Sequence, residues 1–272
     1  MMELLLEWWQ YGFMRNAFFA VLLIMPLFAL LGTMVVNNGM AFFSDALGHS
    51  ALTGVGIGVL LGLSEYSVAM IAFAIVFALL MNRIRHSRLS STDTVIGVFS
   101  SCGVALGLVI LSRGGGFAQY QSLLIGDILS ITERELVLLA VTLAVTAGLW
   151  LVCFNALHAV SVSPALARSK GLPVGLLDNL FVVLIAVVVM LAIRWVGLLI
   201  INAMLILPAA ASRNVAGSMR SYHLLALIFG VFSGVVGLLM SYFNAVAAGP
   251  TIVLIAAALY FGTFLLRGKE QA

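Results

Sequence analysis

Nine apolar stretches, separated by short polar breaks, constrain this chain more than any other feature. They lie near residues 17–36, 46–63, 66–82, 94–112, 134–153, 176–194, 196–212, 222–242 and 247–266. About 20 apolar residues in a helix span the hydrocarbon core of a bilayer, so each stretch reads as a candidate crossing. The breaks are polar: Asn37-Asn38, Ser64-Glu65, Arg83 to Asp93, Arg113 to Thr132, Asn155 to Gly175, Arg194, Arg213 to Ser221, and Asn244. Of the 272 residues, 63% are apolar and 8% charged, too few charges to clothe a soluble fold of this size. A soluble enzyme, a secreted domain and a nucleic-acid-binding module are therefore excluded. The expectation is an all-α polytopic membrane protein with eight to nine transmembrane helices, a single transmembrane domain over 1–272.

Residues 1–14 do not read as a signal peptide, because Glu3 and Glu7 stand where one carries positive charge. Glu3, Glu7 and Gln10 share one helical stripe with Leu4, Leu5, Trp8 and Trp9 beside it. That predicts a short interfacial helix with both tryptophans at headgroup level. Cys102 and Cys153 lie inside apolar runs and read as small packing residues, not as a disulfide. Gly54, Gly58 and Gly62, Gly103 with Gly107, and Gly230 with Gly234 recur every fourth residue, spacing that lets helices approach closely in lipid.

Orientation follows from Lys and Arg, which collect in cytoplasmic loops. Arg83, Arg85 and Arg88 share one break, Arg168 and Lys170 another, Arg213 and Arg220 a third, and Arg267 with Lys269 end the chain. Nine crossings place these nine of the thirteen basic residues on one side. The N-terminus then faces outward and the C-terminus is cytoplasmic. A kink instead of a turn at Ser64-Glu65 would reverse that parity.

Charge inside hydrocarbon costs roughly 2.5–3.5 kcal/mol for a central Asp, so a buried ionisable residue is a functional candidate. Asp45 and His49, four apart, share one helix face. A carboxylate and an imidazole one turn apart can ligate one divalent ion. They can equally be a capping Asp with His49 hydrogen-bonded to it, and spacing alone leaves both readings open. In the break at 154–175, Ser163, Pro164 and Gly171 spell the N-cap, N1 and stop of a helix of about two turns. It is either a plain surface helix or a docking element. In the break at 113–132, residues 119–130 are too apolar for a free loop and too short to span. A re-entrant half-helix is expected, followed by a capping box from Thr132 and Glu135. A phosphate-binding loop needs G-x-x-x-x-G-K-[ST]. Gly262 to Gly268-Lys269 misses it, so any ATPase is another chain.

Several pieces, in order along the chain, resemble the membrane permease of zinc/manganese/iron-type ABC importers. They are Ser44-Asp45-Ala46-Leu47-Gly48-His49-Ser50, Thr92-Asp93-Thr94-Val95-Ile96-Gly97-Val98, Leu124-Ile125-Gly126-Asp127-Ile128-Leu129, and Ser163-Pro164-Ala165-Leu166-Ala167 with Gly171-Leu172-Pro173. Val196-Gly197-Leu198-Leu199, Leu205 to Ala210 and Ala248-Gly249-Pro250-Thr251-Ile252-Val253-Leu254 complete the set. The resemblance implies the ABC importer permease fold and a transport subunit that is not itself an enzyme. It implies a homodimer in the lipid bilayer of the bacterial inner membrane, on two cytoplasmic ABC ATPase subunits that bind the ATP. An extracytoplasmic metal-binding protein would feed it. No nucleic acid takes part and no cofactor is permanently bound; the divalent ion, with zinc favoured over manganese and iron, is cargo. Asp45 and His49 become pathway ligands. Pro164, Ala165, Leu166, Ala167, Arg168 and Gly171 become the coupling helix, and Leu124, Gly126 and Asp127 an outer gate. Asn37-Asn38, Ser163 and Asn244 depart from the family pattern, and Asn244 speaks against a carboxylate ligand there.

The competing readings are weaker. A self-contained secondary transporter or channel would show paired broken helices in inverted repeats. An intramembrane hydrolase would need a nucleophile–base pair or H-E-x-x-H. Neither pattern is present.

Overall fold

A backbone inside hydrocarbon must satisfy its own polar groups, and the apolar stretches of this chain do so as helices. The computed structural model describes residues 7–63, 65–86, 91–113, 120 and 122–270, and no strand occurs among them. The helices are α1 (Gly12–Asn37), α2 (Phe43–Leu60), α3 (Tyr66–Arg85), α4 (Thr92–Arg113), α5 (Ser122–Ile125), α6 (Glu133–Val162), α7 (Pro164–Ser169), α8 (Val174–Val196), α9 (Leu198–Val215), α10 (Met219–Asn244) and α11 (Ala248–Glu270). Eight of them are long and apolar enough to cross a membrane. The remaining long helix, α2, is held below that measure by Asp45, His49 and its serines, and it is buried on almost every side.

Close contacts at small residues fix the directions. A Cβ added to Gly54 would lie 2.6 Å from Met70 Cα, and one on Gly58 would meet Tyr66 and Ala69. Residue numbers rise on one helix as they fall on the other, so α2 and α3 form an antiparallel hairpin. The chain therefore reverses between Leu60 and Tyr66 and does not merely kink. Gly103 and Gly107 of α4 face Ser50 and Thr53 of α2 in step, so these two helices run parallel. Gly48 meets Leu198 and Ser44 donates to Asn202 Oδ1, which sets α9 antiparallel to α2. Arg213 Nη1 donates to Val36 O at 3.3 Å, and Gly32 abuts Leu205, which sets α9 parallel to α1. Asn16 bonds to Ile131 O at 3.2 Å and Asn37 to Ser161 at 2.6 Å, so α6 runs parallel to α1 as well. Tyr222 donates to Thr33 O at 3.2 Å while Gly234 abuts Val21, which turns α10 against α1. This alternation is the one nine crossings demand. One end of the bundle carries Arg83, Arg85, Arg168, Lys170, Arg213, Arg220 and Arg267; that end is cytoplasmic.

Three boundaries differ from expectation. Helix α6 continues through Asn155 and His158 to Val162, so the cytoplasmic break begins at Ser163 and not at 154. His158 Nδ1 lies on Phe154 O at 2.7 Å, and the backbone breaks only where Pro164 drives Ser163 to φ −155°, ψ 101°. In the N-terminal segment Glu7–Gln10 form one 3₁₀ turn and α1 starts at Gly12. Trp8 is buried beside Phe18, and Trp9 alone is exposed, so the tryptophans do not form a matched headgroup pair. Glu3, Leu4 and Leu5 lie outside the described residues, as do Ser64, Arg88 and 114–119. Finally, the expected half-helix is two short turns, α5 and the 3₁₀ turn Ile128–Ser130, broken at Gly126. Gly126 (φ +71°) lies against Gly197 (φ +89°), backbone to backbone, at the one-residue joint between α8 and α9. No side chain fits between them. The capping box is present: Thr132 N–H donates to Glu135 Oε2 at 2.9 Å and Glu135 N–H to Thr132 Oγ1 at 3.4 Å. Cys102 and Cys153 are both free.

Glycine spacing thus packs helices at Gly54, Gly58, Gly103, Gly107, Gly230 and Gly234, while Gly62 belongs to the α2–α3 turn. Gly54→Ala is expected to lose about 1–3 kcal/mol through overpacking. Gly148→Ala, whose Cβ would meet nothing within 4 Å, gains helix propensity instead. Thermal unfolding in detergent should lower the first Tm and leave or raise the second; equal losses would contradict this packing.

Candidate functional site

Asp45 sits three residues into α2, where a carboxylate suits the positive end of the helix dipole. The N-cap residue is Phe42, with no side-chain cap bond, so Asp45 does not cap the helix. Its Oδ2 lies 3.5 Å from His49 Nε2 instead. The Asp45 and His49 side chains remain 36% and 29% exposed on a helix whose other early positions are covered by α3, α4 and α9. One turn of polar, half-open surface therefore interrupts a sheathed helix. Ser44, on the flank of this turn, is tied to Asn202 of α9. Among the described residues no third His, Cys, Asp or Glu joins the pair. One chain thus offers two ligand groups with room beside them. Two are too few for a closed four-ligand site and enough for an ion in passage.

Toward the cytoplasm, a cavity of about 760 Å³ opens among the ends of α1, α3, α6 and α8. Asn37, Arg85, His86, Arg168 and Asp178 are among the residues that line it. Asp178 is the anion at its centre: Arg85 Nη2 stands at 3.3 Å, His86 Nε2 at 3.2 Å and Asn82 Nδ2 at 3.2 Å. Asn82 also donates to Asn179 Oδ1 at 2.9 Å. This network joins α3, the partner of α2 in the hairpin, to the first turns of α8. Sequence reading missed it, because each member alone looks like an ordinary polar residue at a span end. Only the pairing of α3 with α8 brings them together.

The expected loop helix is present as α7. Ser163 Oγ accepts from Leu166 N–H at 3.3 Å, Pro164 opens the helix, and Gly171 N–H closes it on Arg168 O at 2.9 Å. Ala165, Leu166 and Arg168 are exposed. Ala167, grouped with them from the sequence, is buried and serves to seat α7. Val162, Leu166 and Leu176 form large apolar exposures around it, at 73%, 54% and 65%.

At the opposite end, the three outer-loop residues stand at the α8–α9 joint. Leu124 packs on the core, Gly126 is wedged against Gly197, and Asp127 caps its own turn through Leu129 N–H at 3.0 Å while donating its N–H to Arg194 O at 3.3 Å. Asn244 turns back on Met240 O at 2.8 Å and takes no part in a ligand set.

The chain is similar to known proteins over nearly its whole length. The family model described as the ABC 3 transport family matches residues 10–267. The manganese import system permease protein ScaB of Streptococcus parasanguinis is 29% identical, covering 96% of this chain and 93% of that protein. The high-affinity zinc uptake system membrane protein ZnuB of Haemophilus influenzae is 31% identical over 85% of this chain and 88% of its own. Among solved structures, PsaBC from Streptococcus pneumoniae in complex with Fab superposes with a TM-score of 0.85 at 30% identity, over 97% of this chain and 95% of that one. A multi-pass membrane chain with this architecture and these relatives belongs to the ABC 3 transport family.

Proposed function

We propose that this chain is the transmembrane permease of an ATP-driven importer for a divalent metal ion, with Asp45 and His49 as its pathway ligands. The observation that carries the reading is the half-open Asp45–His49 pair on the most tightly sheathed helix of the bundle. Lipid contact there would leave a carboxylate in hydrocarbon. The open face is instead satisfied by a second copy of the chain, whose own pair completes the coordination across a two-fold axis. Two carboxylates and two imidazoles suit Zn(II), Mn(II) and Fe(II) alike. The sequence expectation favours zinc. The relatives named for manganese and for zinc support the class of ion. Family membership favours this reading over a self-contained secondary transporter.

Asp45→Asn and His49→Ala are each expected to abolish radiometal uptake in a deletion strain, with dimer assembly and ATPase binding retained. Loss of an outer-shell partner alone costs about 10–100-fold in metal affinity or activity, and a direct ligand should cost more. Competing Zn(II), Mn(II) and Fe(II) in the same assay identifies the cargo. Normal uptake by both variants would end the ligand role.

The exposed apolar surface around α7 supports its role in seating on a cytoplasmic ATPase subunit, which supplies the ATP hydrolysis. Ala165→Glu and Leu166→Asp face outward and should leave the permease in the membrane while the ATPase no longer co-purifies. Ala167→Glu should instead lower the folded yield, because that side chain faces inward. Wild-type co-purification with the first two would remove the coupling assignment.

The segment around Leu124, Gly126 and Asp127 is read as the outer gate, on the side where an extracytoplasmic metal-binding protein would deliver the ion. Leu124→Cys should label from outside in one nucleotide state and resist in the other, while exposed Ile125→Cys labels in both. Identical labelling of the two would leave the segment a fixed plug.

A further inference from the structure

Two imidazoles from helices distant in sequence meet near the cytoplasmic end, away from Asp45 and His49. His158 lies near the end of α6 and His223 near the start of α10, with ring centroids 4.9 Å apart. Each Nδ1 lies on the backbone carbonyl one turn earlier, Phe154 at 2.7 Å and Met219 at 2.8 Å. A carbonyl only accepts, so in both rings Nδ1 carries the hydrogen, and in the neutral ring Nε2 is a lone pair. Both Nε2 atoms are buried without a partner, as is the Nε1–H of Trp150, a residue only 3% exposed. The Trp150 ring stands 5.7 Å from His223 and 6.3 Å from His158. Phe154 packs on His158, ring centroids 4.2 Å apart and planes tilted by 39°, and helps fix its ring.

Two lone pairs and one N–H donor, all buried and unpartnered, thus lie within one cluster of packed rings. Nδ1–H held by a carbonyl, with Nε2 left free, is the arrangement by which proteins aim histidine at a metal. With metal–nitrogen bonds of about 2.0–2.1 Å, two imidazoles radiating from one ion at a near-tetrahedral angle have centroids about 5 Å apart. We propose that His158 and His223 form a second binding site for a divalent transition-metal ion, buried among the rings, with the Trp150 N–H donating to a water that enters with the ion. The site would fill with the transported ion when that ion accumulates inside; it rests on the importer reading for the ion's identity and for the effect on uptake, not for the binding itself. Helices α6 and α10 both pack on α1 and touch each other chiefly through these rings. An ion held there ties α6, which leads through Ser163 directly into α7, to α10. Occupancy therefore restrains the coupling helix and slows uptake.

The test uses the full-length chain in nanodiscs, in an Asp45→Asn/His49→Ala background so that the proposed pathway ligands are removed. Zn(II) titrated against a chromophoric chelator should bind once per chain, and at least tenfold more weakly after His158→Phe or His223→Phe, substitutions that keep an aromatic ring in the cluster. Co(II) should quench a part of the tryptophan emission that Trp150→Phe abolishes. Should the background variant not fold, the otherwise wild-type chain should lose one bound ion on His158→Phe. In the assembled transporter, both Phe variants should keep normal uptake at low metal and need at least tenfold more internal metal to slow it. Absence of the ion, binding unchanged by the Phe variants, or quenching unchanged by Trp150→Phe would overturn the site. Phe variants that gain stability while the parent binds no metal would show a shared water only, which also overturns it. Failure of the Asp45–His49 reading shows separately, as normal uptake by the background variant.

Discussion

A helix that carries a carboxylate, an imidazole and several hydroxyls cannot face hydrocarbon, and the bundle is organised around sheathing that helix. α2 is wrapped by α3, α4 and α9, and at Gly54, Gly58, Gly103 and Gly107 the approach is closer than a side chain would comfortably permit. Its hydroxyls are satisfied internally: Ser44 on Asn202, Ser50 on Leu47 O, Thr53 on Gly103 O. After that sheathing, the turn bearing Asp45 and His49 is the polar surface left half open. The sequence spends small residues and short hydroxyls on closing three sides of one helix, so that chemistry is possible on the fourth.

The same hairpin links the two ends of the proposed mechanism. α3 is locked to α2 by Gly54 and Gly58, and its cytoplasmic end is locked to α8 through Asn82, Arg85 and Asp178. α8 follows α7 after only Lys170 to Pro173. The Arg85 and Asp178 side chains are 10% and 12% exposed, so this ion pair is poorly screened and resists separation more than a surface pair would. On the proposed coupling role, a displacement of α7 would reach α2 through these two contacts. No continuous chain of polar groups to Asp45 is required.

Much of this was legible in the sequence, for local reasons. Nine long helices, the reversal between α2 and α3, the α7 caps and the Thr132–Glu135 box depend on residues within a few positions of one another. Asp45 and His49 were legible for the same reason, since four residues in a helix make one turn. What the sequence hid is long-range. Asn82 with Asp178, Ser44 with Asn202, and His158 with His223 each pair residues from different helices, and each member alone reads as ordinary polarity near a span end. The broken outer segment was hidden differently. Leu123 to Leu129 has a helix-like apolar pattern, and only the contact of Gly126 with Gly197 shows why the backbone must turn there.

The two histidine arrangements differ in a way that matches what is asked of each. His49 has a carboxylate beside it and a half-exposed side chain, so an ion meets negative charge at once and can leave along the open face. His158 and His223 offer neutral nitrogens only, from two helices, in a pocket of rings. With no carboxylate to neutralise a dication, the proposed second pair would bind weakly and fill late, and would hold two helices rather than pass an ion on. A pathway ligand needs charge and exposure; a sensor needs reach across an interface and little affinity. The chain sets Asp45 and His49 on its most fully sheathed helix, and His158 and His223 near the end of α6, which leads into α7.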